Sequence, residues 1–525
     1  MSSDSTADPD GGHPRRWAAL AALCASLVVV TIDNTVLNTA LPALASALRA
    51  STADLQWISN AYTLVFAAML ITAGSIGSRI GQRRSLIGGL TVFAVGSAIA
   101  AMASSAGQLI GLRAVMGLGA AFAMPATLAS IVALFGERER PKAIAVWSAT
   151  SGIGIVIGPV TGGLLLEHFS WSSVFWINVP LVAAALAAVL TLLPALPGHR
   201  VGRVDVPGLL LSSSGLAALV DVIIRGPRHG WLPDVSLAEA GAATVLLTAF
   251  AWWELRTEHP MVDVRMFAIR TFSTAGVVLG ITFFALFGLL FVLTQFLQLV
   301  HGYSPLKAGL GAVPFALAMS ATAATSALLT RRFGNRATIG GGLTVMALGL
   351  GGVSLVDTGT PYALVALATT VVGAGMGLIM APASATTVGA LPREKAPMAS
   401  SINSVVRELG GVLGIAVVGT AVSGSYRNHL GAALPGTTAP ATDDLTSAHA
   451  LAARLPTEQG ARLVTAADQA FTAAMHNGTW ICTAITLLGA AVALWRLGAV
   501  TLLRATRAGP EPGTAEKTTA PATAG

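Results

Sequence analysis

The chain has 525 residues, of which 54% are apolar and only 10% charged, and its mean hydropathy is +0.72. A soluble protein of this size needs far more charge to cover its surface, so the composition excludes that class. The net charge of +7 is mostly a matter of where Lys and Arg fall along the chain, which leaves a nucleic-acid reading little to explain.

Apolar runs long enough to cross a hydrocarbon core of roughly 30 Å as a helix recur along the chain. Bounded by turn and charge breaks, they predict spans at 17–41, 56–78, 85–104, 107–131, 142–165, 173–194, 207–224, 235–254, 272–299, 308–330, 337–356, 361–385, 398–423 and 479–502. The organisation that follows is a cytoplasmic tail at 1–16, a six-helix bundle at 17–194 and a linker at 195–271 carrying helices 7 and 8. A second six-helix bundle at 272–504 contains an outside loop at 425–477. A low-complexity cytoplasmic tail at 505–525, rich in Ala, Thr, Pro and Gly, is expected to be disordered. The second half of the loop, from Leu445 to His476, reads either as a surface amphipathic helix or as an unstructured cover.

Lys and Arg crowd cytoplasmic loops because carrying them across a bilayer is costly. With both termini inside, the cytoplasmic segments hold 21 of them and the opposite loops 7. The first apolar run is too long for a cleaved signal peptide, so an inner-membrane, multi-pass protein is expected. Cys24 and Cys482 fall inside spans and read as packing residues.

Charges and glycines inside the spans are the candidates for function. Asp33, in Thr31 to Pro42, sits well inside an apolar run, where a carboxylate must be paired or face water and is able to take up and release a proton. Gly74 to Arg84, which includes Gly77, Arg79, Gly81 and Arg83, forms the turn between spans 2 and 3. Its glycines permit a tight turn, and its arginines can bond the ends of neighbouring helices. Arg113 stays charged in any setting and must pair or touch water. In span 5, Ser151 to Gly163, the spacing of Gly154 and Gly158 allows close helix approach, Pro159 removes a backbone hydrogen bond, and Gly162 continues the small face. Span 13 holds Asn403, Arg407 and Glu408. An internal repeat relates Arg79 to Arg84 with Arg332 to Arg336, each followed by a Gly-rich apolar helix, which implies two related bundles with a path between them.

These stretches resemble the major facilitator superfamily, and within it the fourteen-helix drug:proton antiporter branch, over nearly the whole chain. Trp171 to Pro180 and Gly302 to Gly309 resemble further motifs of that family. Two departures stand out: Ser78 occupies the place of a usual aspartate, and the usual arginine of the Trp171 stretch is missing.

The resemblance implies an all-α membrane fold of two six-helix bundles plus two inserted helices. It further implies proton coupling through Asp33, Arg113 and Glu408, and gating through Gly74, Gly77, Arg79, Gly81, Arg83, Arg84, Gly154, Gly158, Pro159 and Gly162. A substrate cavity formed by Asn34, Gln295, Gln298, Asn403 and Arg407 completes the expected site.

The expected function is export of small lipophilic, cationic compounds or antibiotics in exchange for protons by alternating access. The only partners expected are those substrates and the lipid bilayer, with no cofactor beyond the proton, no metal and no nucleic acid. Nothing in the sequence demands more than a monomer. Export of a specific metabolite, endogenous antibiotic or lipid is the alternative on the same fold. A membrane-embedded enzyme is the alternative from another class. The chain shows no His pair with metal-ligand spacing, no phosphate-cradling Gly-Lys-Ser or Gly-Lys-Thr loop, and no nucleophile turn beside a triad.

Overall fold

The computed structural model describes residues 15–136, 139–194, 205–229, 234–258, 260, 262–391, 396–434 and 444–497. The tails at 1–14 and 505–525, the basic residues Arg138, Arg200, Arg203, Arg393, Lys395, Arg504, Arg507 and Lys517, and the centre of the loop at 425–477 lie outside them. Among the described residues the structure is all helix and coil, with no strand.

The first bundle comprises α1 (Arg16–Leu48), α2 (Thr52–Ile80), α3 (Gln82–Ala100), α4 (Ala106–Leu134), α5 (Arg140–His168), and a short α6 (Ser173–Trp176) that runs into α7 (Asn178–Leu192). Two starts are set locally. Ser51 and Asp54 cap each other's backbone at the start of α2 in a capping box, and the Ser105 hydroxyl accepts from Gln108 N at the start of α4. The inserted pair is α8 (Val206–His229) and α9 (Asp234–Arg256). The second bundle comprises α10 (Arg270–Gln295), continued by a π-helical turn (Phe296–Val300), then α11 (Pro305–Leu310), α12 (Val313–Val353), α13 (Tyr362–Gly389), α14 (Ala396–Ala433), α15 (Leu445–Ala452) and α16 (Thr457–Arg496).

The repeat seen in the sequence is a repeat of packing. Gly81 ends α2 with φ 97°, and Gly334 interrupts α12 with φ 81°, a region that L side chains rarely enter. Around Gly81, the Gly117 and Gly119 positions of α4 lie against Tyr62 of α2 and Phe93 of α3. Around Gly334, the Gly373 and Gly375 positions of α13 lie against Phe315 and Met346, which flank the break on either side. Both halves of α12 therefore lie beside the same stretch of α13. The chain reverses at Gly334 as it does at Gly81, so α12 comprises two of the expected spans.

Ten stretches among the described residues are long and apolar enough to cross a membrane, the reversing Pro305–Val353 stretch being one of them. Two helices run beyond the expected spans: the span expected from 479 lies in a 40-residue helix that starts at Thr457, and α14 runs on to Ala433. The second half of the 425–477 loop is thus helical: α15 packs on α16 and also touches α1, with His449 Nε2 and Asp468 Oδ1 2.7 Å apart.

The inserted pair lies along the seam between the bundles. Val220 and Ile224 of α8 share one apolar cluster with Leu64 of α2 and Val412 and Ala416 of α14, and Thr420 Oγ1 donates to Ile223 O at 2.9 Å. Cys482 is buried, Cys24 is half-buried, and neither forms a disulfide.

Candidate functional site

Asp33 lies in the middle of α1, and its side chain points into the first bundle. Arg113 of α4 donates from Nη1 to Asp33 Oδ2 at 2.6 Å, and Asn178, the first residue of α7, donates from Nδ2 to Asp33 Oδ1 at 2.7 Å. Arg113 also donates from Nε to Ile58 O of α2 at 3.3 Å, and its guanidinium lies 4.3 Å from the centre of the Tyr62 ring. Asn178 Nδ2 further bonds Ser97 Oγ of α3 at 3.0 Å, and Ser97 Oγ donates to Phe175 O of α6 at 2.8 Å. The side chains of Arg113 and Asp33 are 0% and 2% exposed. A carboxylate simply hydrated at a helix end is therefore excluded. Four helices, α1, α2, α4 and α7, meet at one ion pair, and only close, well-aimed donors make such burial tolerable.

The second bundle treats its charges differently. Arg407 and Glu408 are adjacent on α14 and partly exposed although protein surrounds them, as befits groups facing internal space. The Arg407 guanidinium lies 4.5 Å from the centre of the Phe283 ring of α10. Neither Arg407 Nε nor Glu408 Oε2 has a hydrogen-bond partner. Among the described residues no salt bridge joins either of them to another side chain. The Tyr62 hydroxyl also lacks a partner, and its ring lies against the Arg113 guanidinium.

The bundles meet along the half remote from Arg16. Gln56 of α2 donates from Nε2 to Ile415 O at 3.1 Å and Ala416 O at 3.0 Å of α14, and Gln298 donates to Thr39 O of α1 at 2.9 Å. Gly163 and Gly309 let α5 and α11 touch backbone to backbone, since a Cβ on Gly163 would press on Leu306 and one on Gly309 would overlap Pro159 O. A mostly apolar cavity lies across this junction, lined by Thr35, Asn38 and Pro159 on one side and Leu289, Leu293 and Phe315 on the other. Towards the Arg16 end, α2 and α14 are separated by a second apolar cavity of about 170 Å³, bounded by Ala68, Leu216, Phe250, Phe267, Val405 and Leu409.

The glycine motifs take up concrete positions. A Cβ on Gly154 or Gly158 would overlap Thr31 Oγ1 or Thr35 Oγ1, and one on Gly162 would crowd Val36, so α5 lies directly on α1 beside Asp33. In the α2–α3 turn, Arg83 donates to Leu190 O at 2.6 Å and caps the end of α7, as expected of a cation there. Arg79 and Arg84 are exposed, Gly77 abuts Ser85, and Gly74 makes ordinary contact with Pro125. Ser78, in the aspartate's usual place, donates to Gly74 O at 2.9 Å and accepts from Gln82 Nε2 at 3.3 Å.

The expected cavity residues do not form one lining. Gln295 bonds Phe291 O of its own helix and faces a pocket under α15 with Tyr426, Asp444 and Phe471. Gln298 joins the bundles, Asn403 bonds Ser384 Oγ of α13 at 3.3 Å, and Asn34 is partly exposed on α1. Asn178 and Ser97, which complete the Asp33 site, carried no signal beyond lying in or near recognised stretches. Among the described residues no group of three or more His, Cys, Asp or Glu side chains could hold a metal ion.

The Major Facilitator Superfamily model matches residues 23–415. The chain is 33% identical over 482 residues to the multidrug efflux pump LfrA of Mycolicibacterium smegmatis, covering 91% of this chain and 95% of that one. It is 34% identical over 469 residues to the methyl viologen resistance protein SmvA of Salmonella typhimurium, covering 87% and 93%. The tetracenomycin C resistance and export protein of Streptomyces glaucescens is 32% identical over 428 residues, covering 80% of each chain. Among solved structures, a bacterial homologue of the human lysosomal transporter Spinster, inward-facing and occupied, superposes with a TM-score of 0.65 at 16% identity, covering 93% of this chain and 98% of that one. The chain belongs to the major facilitator superfamily.

Proposed function

We propose that this protein is a proton-coupled multidrug exporter of the fourteen-helix drug:proton antiporter branch, spanning the inner membrane with both termini in the cytoplasm. The observation that carries the reading is the buried Asp33–Arg113 pair in one bundle, together with Glu408 in the other, whose Oε2 has no hydrogen-bond partner. Intramembrane charges are expensive and mark ion or substrate paths. Relatives about a third identical over most of their length bear the names of efflux pumps and resistance proteins, which supports drugs as the cargo.

In this reading the bundles rock about the cavity between them. With Arg16 on the cytoplasmic side, the junctions at Gln56, Gln298 and Gly309 close the outer half, and the conformation is inward-facing. A proton reaching Asp33 from outside neutralises it and loosens its hold on Arg113, and its release inside restores the pair. One charge crossing 100 mV supplies about 2.3 kcal/mol, enough for a modest uphill gradient of drug. Glu408 offers a lipophilic cation a counter-charge beside apolar walls. No cofactor enters this cycle, and it needs only one copy of the chain.

Efflux of ethidium from cells expressing the protein, with and without a protonophore, tests the proposal. Loss of efflux with the protonophore and in a membrane-inserted Asp33→Asn variant is the expected result. Efflux indifferent to a collapsed proton gradient would contradict it. Absence of ethidium efflux with retained resistance to a neutral antibiotic would favour export of one specific compound.

A further inference from the structure

Within the Asp33 network, the Asn178 side chain stands unused by the transport cycle. Its geometry is asymmetric: Nδ2 serves two acceptors, Asp33 Oδ1 at 2.7 Å and Ser97 Oγ at 3.0 Å, while Oδ1 is buried with no partner at all. A buried amide oxygen left without a donor costs about 1–3 kcal/mol, and with Arg113 Nη2 and the Tyr62 hydroxyl it is one of three unpartnered polar atoms around the Asp33 pair, the one on a side chain that already bonds Asp33 Oδ1.

An ionised carboxylate only accepts, so the amide must present its nitrogen to Asp33. When a proton binds Asp33 Oδ1, the new O–H meets that N–H, donor against donor. Asp33 Oδ2 remains with Arg113, and the free acceptor on the side chain that already bonds Asp33 Oδ1 is Asn178 Oδ1. A half-turn of the amide exchanges its two ends, so that Oδ1 accepts from the Asp33 O–H. Ser97 then loses the N–H it accepted, and its hydroxyl hydrogen turns to the amide oxygen and leaves Phe175 O. Phe175 belongs to α6 and Asn178 begins α7, so the released carbonyl lies at the joint between these helices.

We propose that Asn178 is a positioning residue that reads the protonation of Asp33 by turning its amide and passes that state through Ser97 to the α6–α7 joint. This role rests on the reading of Asp33 as the proton carrier. The groups that face α1 from its neighbours leave Asn178 as the responder. Arg113 from α4 stays cationic, Tyr62 from α2 lies on Arg113, and α5 presents Gly154 and Gly158. Gln298, beyond α10, bonds Thr39 O. Lys307 of α11 lies over Tyr303 and His449 of α15 is held by Asp468, while Arg407 of α14, next to Glu408, lies over the Phe283 ring of α10.

Infrared difference spectroscopy on the full-length protein in lipid tests this directly. The protonated-carboxyl band lost in Asp33→Asn reports Asp33. Asn178→Leu keeps about the side-chain volume but removes both the N–H given to the ionised carboxylate and the oxygen offered to the protonated one. The charge-assisted bond is the stronger of the two, so the pH of half-protonation should rise by less than loss of the donor alone would cause, with proton binding a few-fold tighter, and the pH profile of ethidium efflux should move with it. Ser97→Ala should move both in the same direction by less, and it decides the matter alone if Asn178→Leu fails to insert. A band that titrates at the native pH in the variants overturns the amide relay while leaving Asp33 as carrier. An Asp33 band that does not titrate in the native protein overturns both.

Discussion

The two bundles hold their intramembrane charges in opposite ways. In the first, Asp33 has a donor on each oxygen and Arg113 is enclosed by Asp33, Ile58 O and the Tyr62 ring. In the second, Glu408 and Arg407 face internal space with polar atoms to spare. The Asp33 carboxylate is held by charge-assisted bonds on both oxygens, whereas Glu408 Oε2 has no hydrogen-bond partner. The first bundle is therefore read as the proton site and the second as the cation site.

Substitutions that separate stability from transport break or sharpen this contrast. The largest effect is expected from Asp33→Asn, which leaves Arg113 buried without its counter-charge. Thermal unfolding in detergent should show a loss of about 3–5 kcal/mol, with efflux abolished. Glu408→Gln breaks no hydrogen-bonded salt bridge and should cost less stability than Asp33→Asn, yet lower export of cationic dyes several-fold while sparing neutral drugs. Gly158→Val puts methyl groups where Thr35 already sits and should cost about 1–3 kcal/mol by overpacking, with part of the loss recovered by adding Thr35→Ala. Gln56→Leu removes the bonds to Ile415 O and Ala416 O across the seam, and spin-label distances between α2 and α14 should show a larger outward-open population, by about 1–3 kcal/mol. The smallest change is expected from Arg83→Ala, a lost cap on α7 worth about 0.3–1 kcal/mol.

The sequence made the costly residues legible and the cheap ones not. Asp33, Arg113 and Glu408 stand out because a charge in an apolar run needs a reason, and Gly81 and Gly334 because the same turn appears twice. Asn178 and Ser97 are equally central, but Asn and Ser also join membrane helices without further purpose, and nothing in their spacing reveals that they meet Asp33. Gln295 and Gln298 share a predicted span, yet one faces the pocket under α15 and the other bonds Thr39 O. The π-helical turn at Phe296–Val300 shifts the register between them, and no periodicity argument anticipates it. Between the two readings of Leu445 to His476 the helical one holds, and what the sequence does not show is that the polar first turns of α16 continue into the last apolar helix.

The assignment of proton coupling to Asp33 is tested most directly by proton release on drug binding, measured with a pH indicator on the purified protein in weakly buffered detergent. The native protein and Glu408→Gln at saturating drug should each release a proton, and Asp33→Asn should release none. Release that persists in Asp33→Asn and disappears in Glu408→Gln would contradict the account and place the exchanged proton in the second bundle.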